Sequence, residues 1–203
     1  MSSTNHKLLA GGAAWLVMVL AGFFALIRYA SLPGAAAAAA ASWPAQSSLE
    51  PAADRPTLVF FAHPHCGCTR ASLNELHRLH SRVTHPPLTY VVFQLPKGVS
   101  DEWRHTDLWA SAQRIPGARV IADEDGRESA RFAVRTSGTA LLYDRGRRLV
   151  FSGGLTESRG HQGDSFGQAR LITLLEGGVP DRNDSPVFGC ALENDATTKE
   201  VGP

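Results

Sequence analysis

Two short apolar runs, Thr57–Ala62 (TLVFFA) and Leu88–Leu95 (LTYVVFQL), constrain this chain more than any other feature. Each suits a buried strand. Between them, Thr69–Val83 carries Leu73, Leu76, Leu79 and Val83 at spacings that line one helix face. Strand, helix and strand in that order call for a sheet with parallel crossovers. The alternation continues: a helix over Trp103–Ile115, a strand over Ala118–Ala122 with an exit turn at Asp123–Gly126, and a short helix over Glu128–Val134. Thr139–Tyr143 and Arg148–Ser152 flank Asp144-Arg145-Gly146 and read as a β-hairpin. A last helix, Ser165–Leu175, ends at the Gly177-Gly178 pair. The predicted order is βαβαβαββα, an α/β fold with a mixed sheet and helices on both faces.

The N-terminus obeys a different rule. Leu8–Ile27 is a run of 20 residues without a charge, closed by His6 and Lys7 on one side and Arg28 on the other. At 1.5 Å per residue it spans about 30 Å, the thickness of a bilayer's hydrocarbon. A cleaved secretory signal is the rival reading, although such signals have shorter apolar cores, and the alanine run 35–41 offers cleavage sites. Either reading takes the rest of the chain out of the cytoplasm. The expected organisation is a membrane anchor or signal over 1–30, an alanine- and proline-rich linker over 31–56, a domain over 57–178, and a tail over 179–203 carrying Cys190.

With 20 basic and 19 acidic residues the net charge is +1, so nothing in the balance attracts nucleic acid. Three cysteines are too few to build a disulfide scaffold, and the core must come from apolar burial. Two of the three, Cys66 and Cys68, stand one residue apart in FFAHPHCGCTRASLNEL (60–76), where the first strand meets the first helix. A thiol at a helix N-terminus has its thiolate stabilised by free N–H groups and the helix dipole. Such a pair serves redox chemistry or a soft metal; the bland alternative is two idle thiols. Of the eight histidines, His63, His65 and His161 are site candidates, while His77, His80 and His85 read as surface residues.

The element order, with a thiol motif after the first strand, resembles the thioredoxin fold. It is similar in particular to membrane-tethered periplasmic thioredoxin-like proteins with an extra helix before the third strand. Residues 60–76 and RVIADEDGRESARFAVRTSGTALLYDRGRRLVFSGG (119–154) carry the likeness. HPxCxCTRASL, SGGLTESRGHQGD and the terminal PVFGC also resemble a small bacterial branch sometimes labelled RedB-like. By that resemblance Cys66 stands where the family's attacking cysteine stands. Thr69 replaces the second cysteine, which leaves Cys68 inside the turn. Gly138 takes the place of a cis-proline facing the thiols, with a trans bond expected because a cis peptide there would cost about 3 kcal/mol.

The same analogy brings the loop 153–167 to the thiols, with Arg159 to steer an anion or stabilise the Cys66 thiolate and His161 to shuttle a proton. A solvated loop with Asp164 capping the next helix is the plain alternative. Cys190 is a candidate resolving thiol or third soft ligand, or an idle tail thiol.

The implied function is a membrane-anchored extracytoplasmic thiol–disulfide oxidoreductase in which Cys66 attacks and Cys68 or Cys190 resolves. Protein thiols or disulfides would be its substrates, a membrane electron donor a possible partner, and no cofactor would be needed. A copper(I)-binding or copper-delivery protein using Cys66, Cys68 and His161, with His65 or Cys190, is the alternative. A thiol peroxidase is a more distant third.

Overall fold

Both apolar runs are strands with the expected ends, β1 (Thr57–Ala62) and β2 (Leu88–Leu95), and every residue of each is buried. In this computed structural model, residues 3–36 and 38–192 are described. Strand β3 (Ala118–Glu124) runs two residues further than its periodicity predicts, and β4 (Ala140–Tyr143) and β5 (Leu149–Gly153) form the hairpin. The five lie in the order β3-β2-β1-β4-β5. The pairs β1–β2 and β2–β3 are parallel, and β1–β4 and β4–β5 are antiparallel. This is a thioredoxin-like mixed sheet, as the resemblance implies.

Alternation along the strands divides the core in two. Leu58, Phe60 and Ala62 of β1, with Val91 and Phe93 of β2, face Leu73, Leu76 and Leu79 of α2 (Gly67–Arg82), Leu108 and Ala112 of α3 (Asp107–Gln113), and Leu171 of α5 (Phe166–Leu175). Val59, Phe61, Tyr90 and Val92 point the other way, onto Phe132 beyond the end of α4 (Arg127–Arg131). Asp123 starts α4 by accepting from the N–H groups of Glu128 (2.7 Å) and Ser129 (2.9 Å).

That second face is also covered by chain expected to be a spacer. The Trp43 ring meets Phe132 and Tyr143 edge-on at 5.2 and 5.1 Å, Leu49 is buried, and Ser47 and Ser48 bind the Glu128 carboxylate. Trp43 N–H donates to Arg147 O and Leu149 N–H to Ala41 O, so residues 41–43 lie along the hairpin. The stretch 31–56 therefore belongs largely to the folded unit, which begins at Pro33. Its apolar residues are isolated in sequence but meet a sheet face that α4 alone is too short to close. Trp43→Ala should cost about 3 kcal/mol in urea unfolding, the lower end of the range for a large aromatic because the ring is half-buried.

The other compact unit is Met1–Leu32, whose helix α1 (Ser3–Ser31) has a segment, Asn5–Ser31, long and apolar enough to cross a membrane. A signal sequence passes the same test of length and composition.

Three local expectations need correction. The helix expected over 103–115 is broken: a 3-10 turn spans Asp101–Arg104, and α3 starts afresh where Thr106 Oγ1 accepts from Trp109 N–H at 3.2 Å. Thr106 is extended, and a threonine at that point caps a new helix more readily than it continues an old one. His80 is buried rather than exposed, with Nε2 2.9 Å from Thr89 Oγ1. The cap of α5 is Ser165, whose hydroxyl accepts from Gln168 N–H, while Asp164 pairs with Arg82.

Candidate active site

Cys66 is the N-cap of α2, only 1% exposed, with extended backbone (φ −91°, ψ 115°) and no side chain of its own capping the helix. No acidic residue occupies the first turn to compete for the free N–H groups. Burial alone would push the Cys66 pKa up, but four donors outweigh burial: the Cys190 thiol, the Cys190 N–H, the Thr69 N–H and the Thr69 hydroxyl. The net shift is downward, which favours a thiolate.

Cys190 Sγ donates to Cys66 Sγ across 2.7 Å. The tail that carries it is ordered over the described residues. Asn183 O accepts from Ser152 N–H on β5, and Ser185 Oγ donates to Gly154 O. Further along, the tail pairs antiparallel with the segment before β4: Ser137 N–H donates to Cys190 O (2.9 Å) and Leu192 N–H to Arg135 O (2.8 Å), with a bridge between Thr136 and Ala191. Leu192 is buried in the second core cluster. Gly189 is required here, because a Cβ on it would overlap the Ser137 carbonyl.

Cys68 is half-exposed, beyond Gly67 on the first turn of α2. Burial raises its pKa first, and the charge and hydrogen bond of Cys66 raise it further, against a lowering by Arg159. Cys190 is pushed up to about 12 by burial, then by the hydrogen bond and charge of Cys66. The three thiols are unequal. Only Cys66 is shifted toward the thiolate, and its two neighbours hold their protons.

Behind Cys66 lies a chain of hydroxyls. Thr69 and Ser137, each 1% exposed, have their oxygens 2.8 Å apart, and Ser137 Oγ also accepts from His63 N–H at 2.9 Å. With the Thr69 proton given to Cys66, the consistent order is His63 N–H to Ser137, Ser137 O–H to Thr69, and Thr69 O–H to the sulfur. Ser137→Ala should raise the Cys66 pKa and slow its reaction with a disulfide reagent about two- to fivefold at pH 7, with Ser137→Thr near wild type. The check is ultraviolet thiolate absorbance followed against pH.

Gly138 has φ +91°, its N–H donates to Phe61 O, and the described residues contain no cis peptide. Arg159 reaches Cys68 and donates to Gly189 O, so it touches the first thiol turn and the tail together. His65 lies edge-on to Trp103 with ring centres 4.5 Å apart. It borders a hollow of about 370 Å³ that Cys66, Arg70, Thr106 and Asp107 also line.

His161 is exposed, and among the described residues no hydrogen bond ties its ring to a cysteine. No group of three or more His, Cys, Asp or Glu among the described residues is arranged to hold a metal ion, so nothing here supports the copper reading. Ser137 was missed by sequence reasoning; its place beside Gly138, opposite the thiols, was the signal available.

No protein-family profile matches the chain, and no curated protein is significantly similar to it in sequence. Among solved structures, a hypothetical protein of Sinorhizobium meliloti is similar at a TM-score of 0.55 with 19% identity, over 82% of this chain and 98% of that one. An uncharacterised conserved protein of Geobacillus kaustophilus is similar at 0.54 with 17% identity, over 79% and 91%. The pneumococcal exposed lipoprotein thioredoxin of Streptococcus pneumoniae is similar at 0.44 with 18% identity, over 61% and 84%.

Proposed function

We propose that this chain is a thiol–disulfide oxidoreductase in which Cys66 attacks and Cys190, rather than Cys68, resolves. The observation that carries the reading is the 2.7 Å approach of the Cys190 sulfur to a Cys66 sulfur placed at a helix N-terminus. The Cys66 thiolate attacks one sulfur of a substrate disulfide, forming a mixed disulfide and releasing the other sulfur as a thiolate that takes a proton from solvent. Cys190 loses its proton and attacks the Cys66 sulfur, which releases the second substrate thiol and leaves a Cys66–Cys190 disulfide. Two electrons pass to the substrate, and a dithiol donor must return them for another turnover. Run backwards, the same steps oxidise a substrate dithiol.

In this reading α1 remains as an anchor that holds the domain on the extracytoplasmic side, where protein thiols and disulfides are the substrates. The RedB-like likeness of the CxC and PVFGC segments belongs to the same reading.

The test is equilibration of the full chain, in detergent micelles, with glutathione redox buffers, followed by mass mapping of the cysteine pairs. The expected product is a Cys66–Cys190 disulfide. A chain in which Cys66 does not pair with Cys190 at any glutathione ratio would overturn the proposal.

A further inference from the structure

Pro33–Ala36 follow directly on the apolar helix in sequence, and they lie against the tail that carries Cys190. Gly34 N–H donates to Val187 O at 2.8 Å, three residues before the thiol. Thr136 Oγ1 donates to Ala35 O at 2.8 Å, and Thr136 is itself the residue bridged to Ala191. A Cβ at position 34 would overlap the Thr136 side chain, so glycine is what allows this approach. The tail near Cys190 is thus bound from two sides: by the backbone of 135–137 and by the segment 33–36.

We infer that the membrane-proximal segment Pro33–Ala36 is a positioning element of the thiol centre, clamping the Cys190 strap over Cys66. It rests on the proposed oxidoreductase reading and adds a control to the same site. In the clamped chain Cys66 is 1% exposed and Cys190 lies on its sulfur. A reagent or substrate reaches Cys66 only when the strap lifts, and each contact between 33–36 and the strap or Thr136 opposes lifting. The segment 33–36 and the resolving thiol are therefore coupled. A chain cut within the alanine run 35–41 would lose the 33–35 contacts and hold its resolving thiol less firmly.

The test uses the full chain, reduced, in detergent micelles, with iodoacetamide trapping of Cys66 and Cys68 read separately by mass spectrometry. When opening is fast and trapping slow, the Cys66 rate reports the opening equilibrium. Thr136→Val, which keeps the shape and removes the donor, should raise the Cys66 rate about five- to tenfold while the half-exposed Cys68 serves as reference. Thr136→Ser, which restores the hydroxyl, should stay within about twofold of wild type. Gly34→Val should act in the same direction as Thr136→Val. Leu171→Ala, destabilising from the opposite face of the sheet, should leave the ratio of Cys66 to Cys68 rates unchanged.

Equal ratios in wild type and Thr136→Val, or a rise in Leu171→Ala as large as in Thr136→Val, would overturn the inference. Failure of the oxidoreductase reading looks different: in the glutathione mapping of the wild-type chain, Cys66 would not pair with Cys190, whatever the trapping rates.

Discussion

Cys66→Ser should abolish disulfide exchange, with a rate at pH 7 at least about a thousandfold below wild type. A serine hydroxyl does not ionise near neutrality, and neither remaining thiol can take over. Cys190, with its pKa pushed up to about 12 by burial and then by its hydrogen bond to Cys66 and the Cys66 charge, keeps its proton at pH 7 while that environment lasts. Removing the Cys66 charge relieves part of that shift but leaves the burial. Cys68 is also raised, first by burial, and it lacks the N-cap position and the Thr69 donors that lower Cys66. The measurement is reduction of a small aromatic disulfide by the reduced chain, followed by release of its coloured thiol. Activity within tenfold of wild type would show that another thiol attacks.

The wild-type rate should also follow the Cys66 titration. Because its pKa is lowered, the thiolate is already present below the ordinary thiol range, and the rate should level off there instead of climbing toward pH 9. Thr69→Val removes the hydroxyl donor and should move that levelling-off to higher pH.

What could be read from sequence was what is local. The ends of β1 and β2 follow from apolar runs bounded by Pro56 and the His63-Pro64 pair, and by Pro87 and Pro96. The Leu73, Leu76 and Leu79 stripe announces a helix over Thr69–Val83, two residues short of its true start at Gly67, and the place of Cys66 at that start came from the family resemblance. The break at Thr106 was not legible, because periodicity carries across a cap that only a side-chain hydrogen bond reveals. His80 looked exposed because the helix face it shares meets Thr89 of β2, a pairing that sequence spacing does not encode. The larger omissions are the two segments outside the repeating pattern. Trp43, Leu49 and Leu192 are isolated apolar residues among small and polar ones, with no period to announce a face packed against the core. Their burial depends on the open second face of the sheet, which exists only after the strands have paired. The candidate site divides in the same way: Cys66 and Thr69 come from the local helix start, whereas Cys190 and Ser137 join it through tertiary pairing.

Cys190→Ser and Cys68→Ser should then separate cleanly. In Cys190→Ser the attack proceeds but the mixed disulfide on Cys66 has lost its resolving partner, so it should accumulate to most of the protein in a single turnover. In Cys68→Ser it should resolve at close to the wild-type rate. Geometry favours this assignment, since a Cys66–Cys68 ring across one glycine is small and strained, while Cys190 already lies 2.7 Å from its target. The order of steps follows from the charges. Before attack, Cys190 donates to the Cys66 thiolate, and that hydrogen bond and charge, after burial, are what keep its proton on. Once Cys66 is bound to a substrate sulfur its charge is gone, both Cys66 contributions that raise Cys190 vanish with it, burial and the Cys68 charge stay, and the Arg159 charge, which lowers the Cys190 pKa, remains. Resolution is therefore disfavoured until attack has happened. Because burial still holds the Cys190 pKa up after attack, resolution should be the slower step at low pH, and the wild-type mixed disulfide should become detectable there in acid-quenched samples. Accumulation in Cys68→Ser rather than in Cys190→Ser would assign the resolving role to the CxC pair instead.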